Sequence, residues 1–304
     1  MKILCAIIDR MLSAPAIETI EAVTFWPACQ ELGNARLFPF WRVECEIGQA
    51  QMNQQFLQTV EEFVPDIVFS VAFRDNWLPG VMNQVPCPTI VVFSDSYRSD
   101  FIQRHSPQFD VPIVMDDIGV ALLPDHPGVR KSMWACNPKI HNSFTRRYRP
   151  RDLDVVFVGG THGGKEHYIQ ALQDAGISVT ARGRSRPGGI VSTAEYVELY
   201  QRAKIGLCFT MSADGQTPQP KARTFETAAF GCMMMHEKSP FVDDYFVPGE
   251  EYIPFGSEAE LVSKVSHYLA HNKRRLQIAG NGLLRAHRDH TYVQRLTEIF
   301  GELL

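Results

Sequence analysis

Short apolar runs alternate with stretches of helical spacing along the whole chain. Residues 3–8, 35–40, 66–71 and 89–93 read as strands, and a shorter one is expected at 119–123 before Pro124. Most are continuous apolar runs rather than alternating ones. Both faces are then covered, as in a parallel sheet with helices on each side. Between them, Met52, Phe56, Val60 and Phe63 recur at steps of four, four and three, which is one face of a helix. Another helix is expected over residues 16–32.

The alternation restarts after residues 146–151, Arg-Arg-Tyr-Arg-Pro-Arg, which read as a solvated linker. Strands are predicted at 154–158, 177–181, 205–209, 232–236 and 252–255. Helices are predicted at 165–175, 194–203, 222–230, 258–271, 273–287 and 292–303. Gly231 suits the end of the 222–230 helix. The β-α-β order makes the fold α/β, in two halves of similar size.

Composition narrows the class. The 304 residues are 45% hydrophobic and 21% charged, ordinary for a globular protein and wrong for disorder or collagen. Lys+Arg 30 against Asp+Glu 34 gives net −4, which argues against a dedicated duplex-DNA binder. The seven cysteines are scattered, with no C-x-x-C, so a disulfide framework or zinc site is not expected and a cytoplasmic location fits. No run approaches a membrane span.

Two segments carry chemistry. The turn Gly159-Gly160-Thr161-His162-Gly163-Gly164-Lys165 leaves a strand and opens a helix, where free N–H groups favour an anion. It matches the first seven positions of a G-x-x-x-x-G-K phosphate loop. The eighth is Glu166, where a Ser or Thr would hold magnesium, and a carboxylate there is expected to repel phosphates. The second segment is Lys221-Ala-Arg223-Thr-Phe-Glu226, at the start of a helix, after a strand and a polar loop that begins at Thr210. Cations there oppose the helix dipole unless an anion lies between them. The set is read as a basic pair for a diphosphate and a carboxylate for ribose hydroxyls. The bland alternative is an exposed Arg223–Glu226 pair. Ligands of open α/β sheets bind beyond the C-terminal strand ends, which is where both segments fall.

Lys221-x-Arg223-x-Phe225-Glu226, then Ala229-x-Gly231 and the apolar 233–235 run, resembles the donor-site segment of spore-maturation CgeB-like glycosyltransferases, of the GT-B superfamily. The likeness continues through Pro248-Gly-Glu-Glu-Tyr-Ile-Pro-Phe255 and ends at His290-Thr-Tyr292. It implies two Rossmann-like domains with parallel sheets facing across a cleft and a C-terminal helix crossing back. The domains would be 1–148 for an acceptor, 149–289 for a nucleotide-sugar, and 290–304 as the returning helix. It implies a metal-independent transfer from a nucleotide diphosphate-sugar with no further cofactor. The acceptor is left open among small molecules, glycans, proteins and modified nucleic acid. Lys221 and Arg223 would meet the diphosphate and Glu226 the ribose. Gly159, Gly160, Thr161, Lys165 and Thr210 would lie near the phosphates. Many retaining members carry a second Glu eight residues after the first. That position is Met234 here, so the stereochemical outcome stays open.

A catalytic base is sought at strand ends. Asp9 and Asp95 qualify, and His162 is a third candidate; turn-forming or solvated roles are the alternatives. Asp152-x-Asp154 spells a metal-type D-x-D but enters a strand, so it reads as a strand start. Tyr97, Arg98, Asp100 and Arg104 are possible acceptor contacts. Arg182, Arg184 and Arg186 would neutralise an anion or stay solvated. Competing functions are a nucleotide-sugar epimerase or hydrolase, a non-catalytic sugar- or surface-binding module, and, least favoured, a phosphate-loop phosphotransferase.

Overall fold

The computed structural model describes residues 1–11, 13–142 and 150–303, so the 146–149 part of the basic run lies outside the described residues. The chain divides into two compact units, Met1–Met133 with Tyr292–Leu304, and Trp134–Thr291. The division thus falls before the basic run.

The first unit holds strands β1 (Lys2–Ala6), β2 (Arg10–Met11), β3 (Ala14–Glu18), β4 (Asn34–Phe38), β5 (Ile67–Val71), β6 (Thr89–Phe93), β7 (Val111–Val114) and β8 (Arg130–Lys131). Six form a parallel sheet of order β4-β1-β5-β6-β7-β8, with Cys5 opposite both Leu37 and Phe69. β2 and β3 form a separate hairpin. The continuous apolar runs of β5 and β6 are buried at every residue, as expected of a sheet covered on both sides. The terminal helix Tyr292–Gly301 belongs to this unit, where Tyr292 packs edge-on against Phe25 at 4.7 Å.

Two local expectations change, and two elements appear that the pattern did not predict. The 16–32 helix is broken: β3 occupies Ala14–Glu18, and two helices, Ile20–Val23 and Phe25–Leu32, follow. Thr19 caps the first by accepting from the Ala22 N–H, and Thr24 turns its hydroxyl back to the Ile20 carbonyl at the break. The 119–123 strand is instead the end of a helix, Asp117–Ala121, because Asp116 caps it by accepting from Gly119 N–H at 2.8 Å. The strand β7 was masked in the sequence by Pro112, which removes one ladder donor. β8 pairs only with Ile113 and Val114, so Pro112 needs a partner on one side alone. Helix Phe40–Ile47 follows directly after Pro39.

The second unit holds β9 (Leu153–Val158), β10 (Val179–Arg182), β11 (Ala203–Cys208), β12 (Met233–Glu237) and β13 (Ile253–Phe255) in a parallel sheet of order β10-β9-β11-β12-β13. Val155, Phe157, Ile205, Leu207, Met233 and Met235 pack on one face. Val156, Tyr200, Phe230 and Cys232 pack on the other. Each layer is a two-sided Rossmann-like arrangement. In this order the chain leaves β9 toward β10 and returns beside β9 as β11, so the direction of winding reverses between β9 and β11. The loops that leave the C-terminal ends of those two strands lie at this reversal, the place where open α/β sheets bind ligands. The glycine turn leaves β9, and the polar loop to Lys221 leaves β11.

Candidate functional site

The glycine turn is forced by its surroundings. A Cβ on Gly159 would lie 2.7 Å from the Phe157 ring and 3.1 Å from the Arg223 guanidinium. Gly163 and Gly164 take φ of 78° and 71°, and a Cβ on Gly163 would approach the Met211 and Ser212 carbonyls at 3.1 Å. The turn from β9 and the loop from β11 are therefore pressed together. The N–H groups of Gly160 and Thr161 donate to nothing among the described residues.

Lys165 opens the next helix and is only 4% exposed, yet its ammonium has no hydrogen bond or ion pair among the described residues. Burial, then the Arg223 and Arg186 charges, pull its pKa down to about 8, against opposing pulls from Glu237 and Glu166. His162 is held below its usual value by burial, and then by Lys165, Lys221, Arg223 and Arg184. Four cations thus converge on one turn. Arg223 lies over the Phe157 ring at 5.0 Å with its Nε buried and unpartnered. Lys221 is the N-cap of helix Ala222–Ala229. A buried ammonium with no hydrogen-bonded counter-ion, as at Lys165 among the described residues, is costly, and a bound anion would offset that cost.

The neighbouring carboxylates are engaged elsewhere. Glu166 pairs with Arg186, which answers the expectation that it would repel phosphates: its charge is matched. Glu237 accepts from the Thr210 N–H at 2.9 Å, and the Thr210 hydroxyl meets Ser239 at 3.3 Å, so Thr210 is a fixed corner of the loop. Glu226 is 6% exposed and accepts from the Tyr196 hydroxyl at 2.6 Å. Its other oxygen lies 3.8 Å from His141 Nε2. The exposed Arg223–Glu226 pair of the bland alternative is not formed. His141 Nδ1 accepts from the Asn137 N–H at 3.0 Å, which leaves the ring proton on Nε2, toward Glu226. Burial lowers the His141 pKa and keeps that ring neutral. Tyr196 and His141 were invisible in sequence: each is a lone polar residue tens of positions from Glu226.

Residues 151–301 match the family model described as glycosyl transferase-like. No curated protein sequence matches the chain. The structure is similar to Alr3699/HepE of Anabaena in complex with UDP-glucose, at TM-score 0.71 and 12% identity, covering 100% of this chain and 99% of that one. It is similar to AviGT4, a glycosyltransferase of avilamycin A biosynthesis, at TM-score 0.68 and 12% identity over 99% and 97% of the two chains. It is similar to a glycosyltransferase from Rickettsia africae ESF-5 at TM-score 0.68 and 9% identity over 99% and 98%.

The fold is that of GT-B glycosyltransferases.

Within the GT-B frame the remaining candidates fall into place by unit. Asp9 and Asp95 follow β1 and β6 of the first unit, whereas His162 belongs to the second. Asp9 is 7% exposed and pairs with Arg42 at 3.1 Å. Asp95 is partly buried at a turn, its carbonyl accepting from the Arg98 N–H at 3.0 Å. Sequence reading missed Glu21, in the first turn after Thr19. Burial raises its pKa and Asp95 adds to the rise, against its own backbone N–H and the Thr19 side chain. Arg98 is spread over the Phe73 and Phe101 rings and donates to the Phe73 carbonyl. Asp152 and Asp154 pair with Arg202 and Lys204 at the start of β9, at the opposite end of that strand from the glycine turn. Among the described residues no group of three His, Cys, Asp or Glu gathers as a metal would require, and no helix is long and apolar enough to cross a membrane. Met234 is buried within β12 and offers no second carboxylate.

Proposed function

We propose that the protein is a glycosyltransferase that takes a hexose or pentose from a nucleotide diphosphate-sugar held by its second unit, without a metal. The observation that carries this reading is Lys165: a buried ammonium beside Arg223 and Arg186, with no hydrogen bond or ion pair among the described residues, where the winding of the sheet reverses. A diphosphate supplies the missing charge. When the bond from the sugar to phosphate breaks, the leaving oxygen gains negative charge. On this reading Lys165, Lys221, Arg223 and the Gly160 and Thr161 N–H groups stabilise it without reorganising. Glu226, fixed through Tyr196, accepts from ribose hydroxyls.

The acceptor hydroxyl must lose a proton. Of the strand-end carboxylates, we assign Asp95, which follows β6 beside Glu21, as the base. His162 stays neutral among cations and contacts the donor. All seven cysteines are free, which accords with a reducing cytoplasm.

HepE, of the same fold, was solved with UDP-glucose, so UDP-sugars are the first donors to try. A thermal-shift screen of UDP-, GDP-, dTDP- and ADP-sugars in EDTA should raise the melting point with one base class. Arg223→Ala should abolish that shift. An unchanged nucleotide affinity in Arg223→Ala by calorimetry would sink the donor-site reading. Nucleotide release with no glycosylated product from any acceptor would favour a hydrolase.

A further inference from the structure

Arg186 is not among the cations that lack a partner. Its side chain is 5% exposed, and each face of its guanidinium is committed. Nε donates to the Gly159 carbonyl at 2.8 Å and one terminal nitrogen to the Gly160 carbonyl at 3.4 Å. Both terminal nitrogens also engage the two oxygens of Glu166. The plane lies over the Phe157 ring at 5.2 Å. The loop that delivers it is strained: Ser185 sits at φ 65°, where side chains are disfavoured, and Gly183 at φ 131°. A Cβ on Gly183 would lie 2.5 Å from the Gly159 carbonyl oxygen. Such strain persists only where the surroundings fix the loop.

A trans peptide points its C=O and N–H in opposite directions. Drawing the carbonyls of Gly159 and Gly160 toward Arg186 therefore turns the N–H groups of Gly160 and Thr161 away from it. Neither of those two N–H groups has an acceptor among the described residues, and the same holds for His162, Gly163 and Gly164 further along the turn. Lysine cannot replace the fork, because an ammonium has no planar set of donors to span two carbonyls and a carboxylate.

We propose that Arg186 and Glu166 form a clasp that positions the glycine turn, holding the Gly160 and Thr161 N–H groups out toward the phosphates. Arg186 is a positioning residue that does not touch the ligand. Glu166, at the position where a phosphate loop would place a magnesium-binding hydroxyl, fixes the clasp instead. This rests on the reading that the second unit takes a diphosphate.

The test uses the full chain and inorganic pyrophosphate in EDTA, which needs no knowledge of the base. Wild type should bind it by calorimetry, with the Gly160 and Thr161 amide resonances shifting on addition. Arg186→Lys should lose about tenfold in affinity and lose those two amide shifts. Glu166→Gln, which keeps the guanidinium, should lose about threefold and move the same amides less. A purely structural role for Arg186 would lower the melting point and leave both readouts intact below it. Arg186→Lys binding pyrophosphate as wild type does, with Arg223→Ala losing it, overturns the clasp. Arg223→Ala binding normally overturns the donor site instead. No binding by wild type at millimolar pyrophosphate overturns both.

Discussion

The two units end their central strands in opposite electrostatic styles. Beyond the first unit's strands several groups meet partners within the unit, Asp9 with Arg42, His105 with Asp75, and Arg98 with rings and a carbonyl, while burial raises the pKa of the Glu21 carboxyl. Beyond β9 and β11, among the described residues, the second unit leaves Lys165 buried with no hydrogen bond or ion pair and Arg223 with an unpartnered Nε. A self-compensated edge suits an uncharged ligand whose hydroxyls are read one by one. An uncompensated edge suits a ligand that brings fixed negative charge. The difference teaches where to look for the donor before any ligand is seen.

Substitutions can break this contrast. The largest effect is expected at the first unit: Asp95→Asn should lower turnover by about 10²–10⁴-fold, the usual range for a general base, with nucleotide affinity unchanged. Loss of turnover in Asp9→Asn instead, with Asp95→Asn active, would move the base to the ion-paired carboxylate and undo the contrast. At the second unit, Lys165→Met should weaken a nucleotide diphosphate by about 10–150-fold, the value of a hydrogen bond to a charged group. It should also raise the melting point of the empty protein, because an unpaired buried charge is removed. A variant that loses both affinity and stability would show that Lys165 has a partner in the empty state.

The acid–base behaviour sharpens the same point. Lys165 titrates near 8 in the folded chain against an ordinary 10.5. Between those values the unfolded chain binds the extra proton, so stability of the empty protein should rise with pH across that window. Diphosphate affinity should run the other way, falling toward tenfold per unit above pH 8 in calorimetry. A flat affinity profile from pH 7 to 9.5 contradicts the assignment. Smaller still, Tyr196→Phe should cost about 3–10-fold with a ribonucleotide and nothing with its 2′,3′-dideoxy analogue. The smallest effect on the donor is that of Arg42→Ala, which strips the buried Asp9 of its partner: it should leave nucleotide affinity unchanged and cost about 1–3 kcal/mol of stability in denaturant unfolding.

Sequence pattern was most informative where burial is two-sided. The runs that became β5, β6, β9 and β12 are continuous because helices cover both faces, and their position needs no knowledge of partners. Lys221, Arg223 and Glu226 were legible because they share one helix start after one strand. What stayed hidden depends on contacts across the chain. Residues 117–121 look apolar enough for a strand, and only the Asp116 cap decides for a helix. Nothing near Arg186 in sequence announces that it reaches Gly159 and Glu166, since 20 or more positions separate them. Tyr196 and His141 meet Glu226 by the same kind of long closure.

The unpaired Lys165 has a consequence for the protein's lifetime. On the proposed donor reading, the empty and the donor-bound chain differ in their resistance to degradation. At donor concentrations about 100 times the dissociation constant, binding stabilises the folded state by about 2.7 kcal/mol. Where proteolysis follows the population of opened molecules, that is about a hundredfold slower digestion. Abundance would then track the supply of activated sugar, with no dedicated sensor beyond one ammonium kept waiting for its anion.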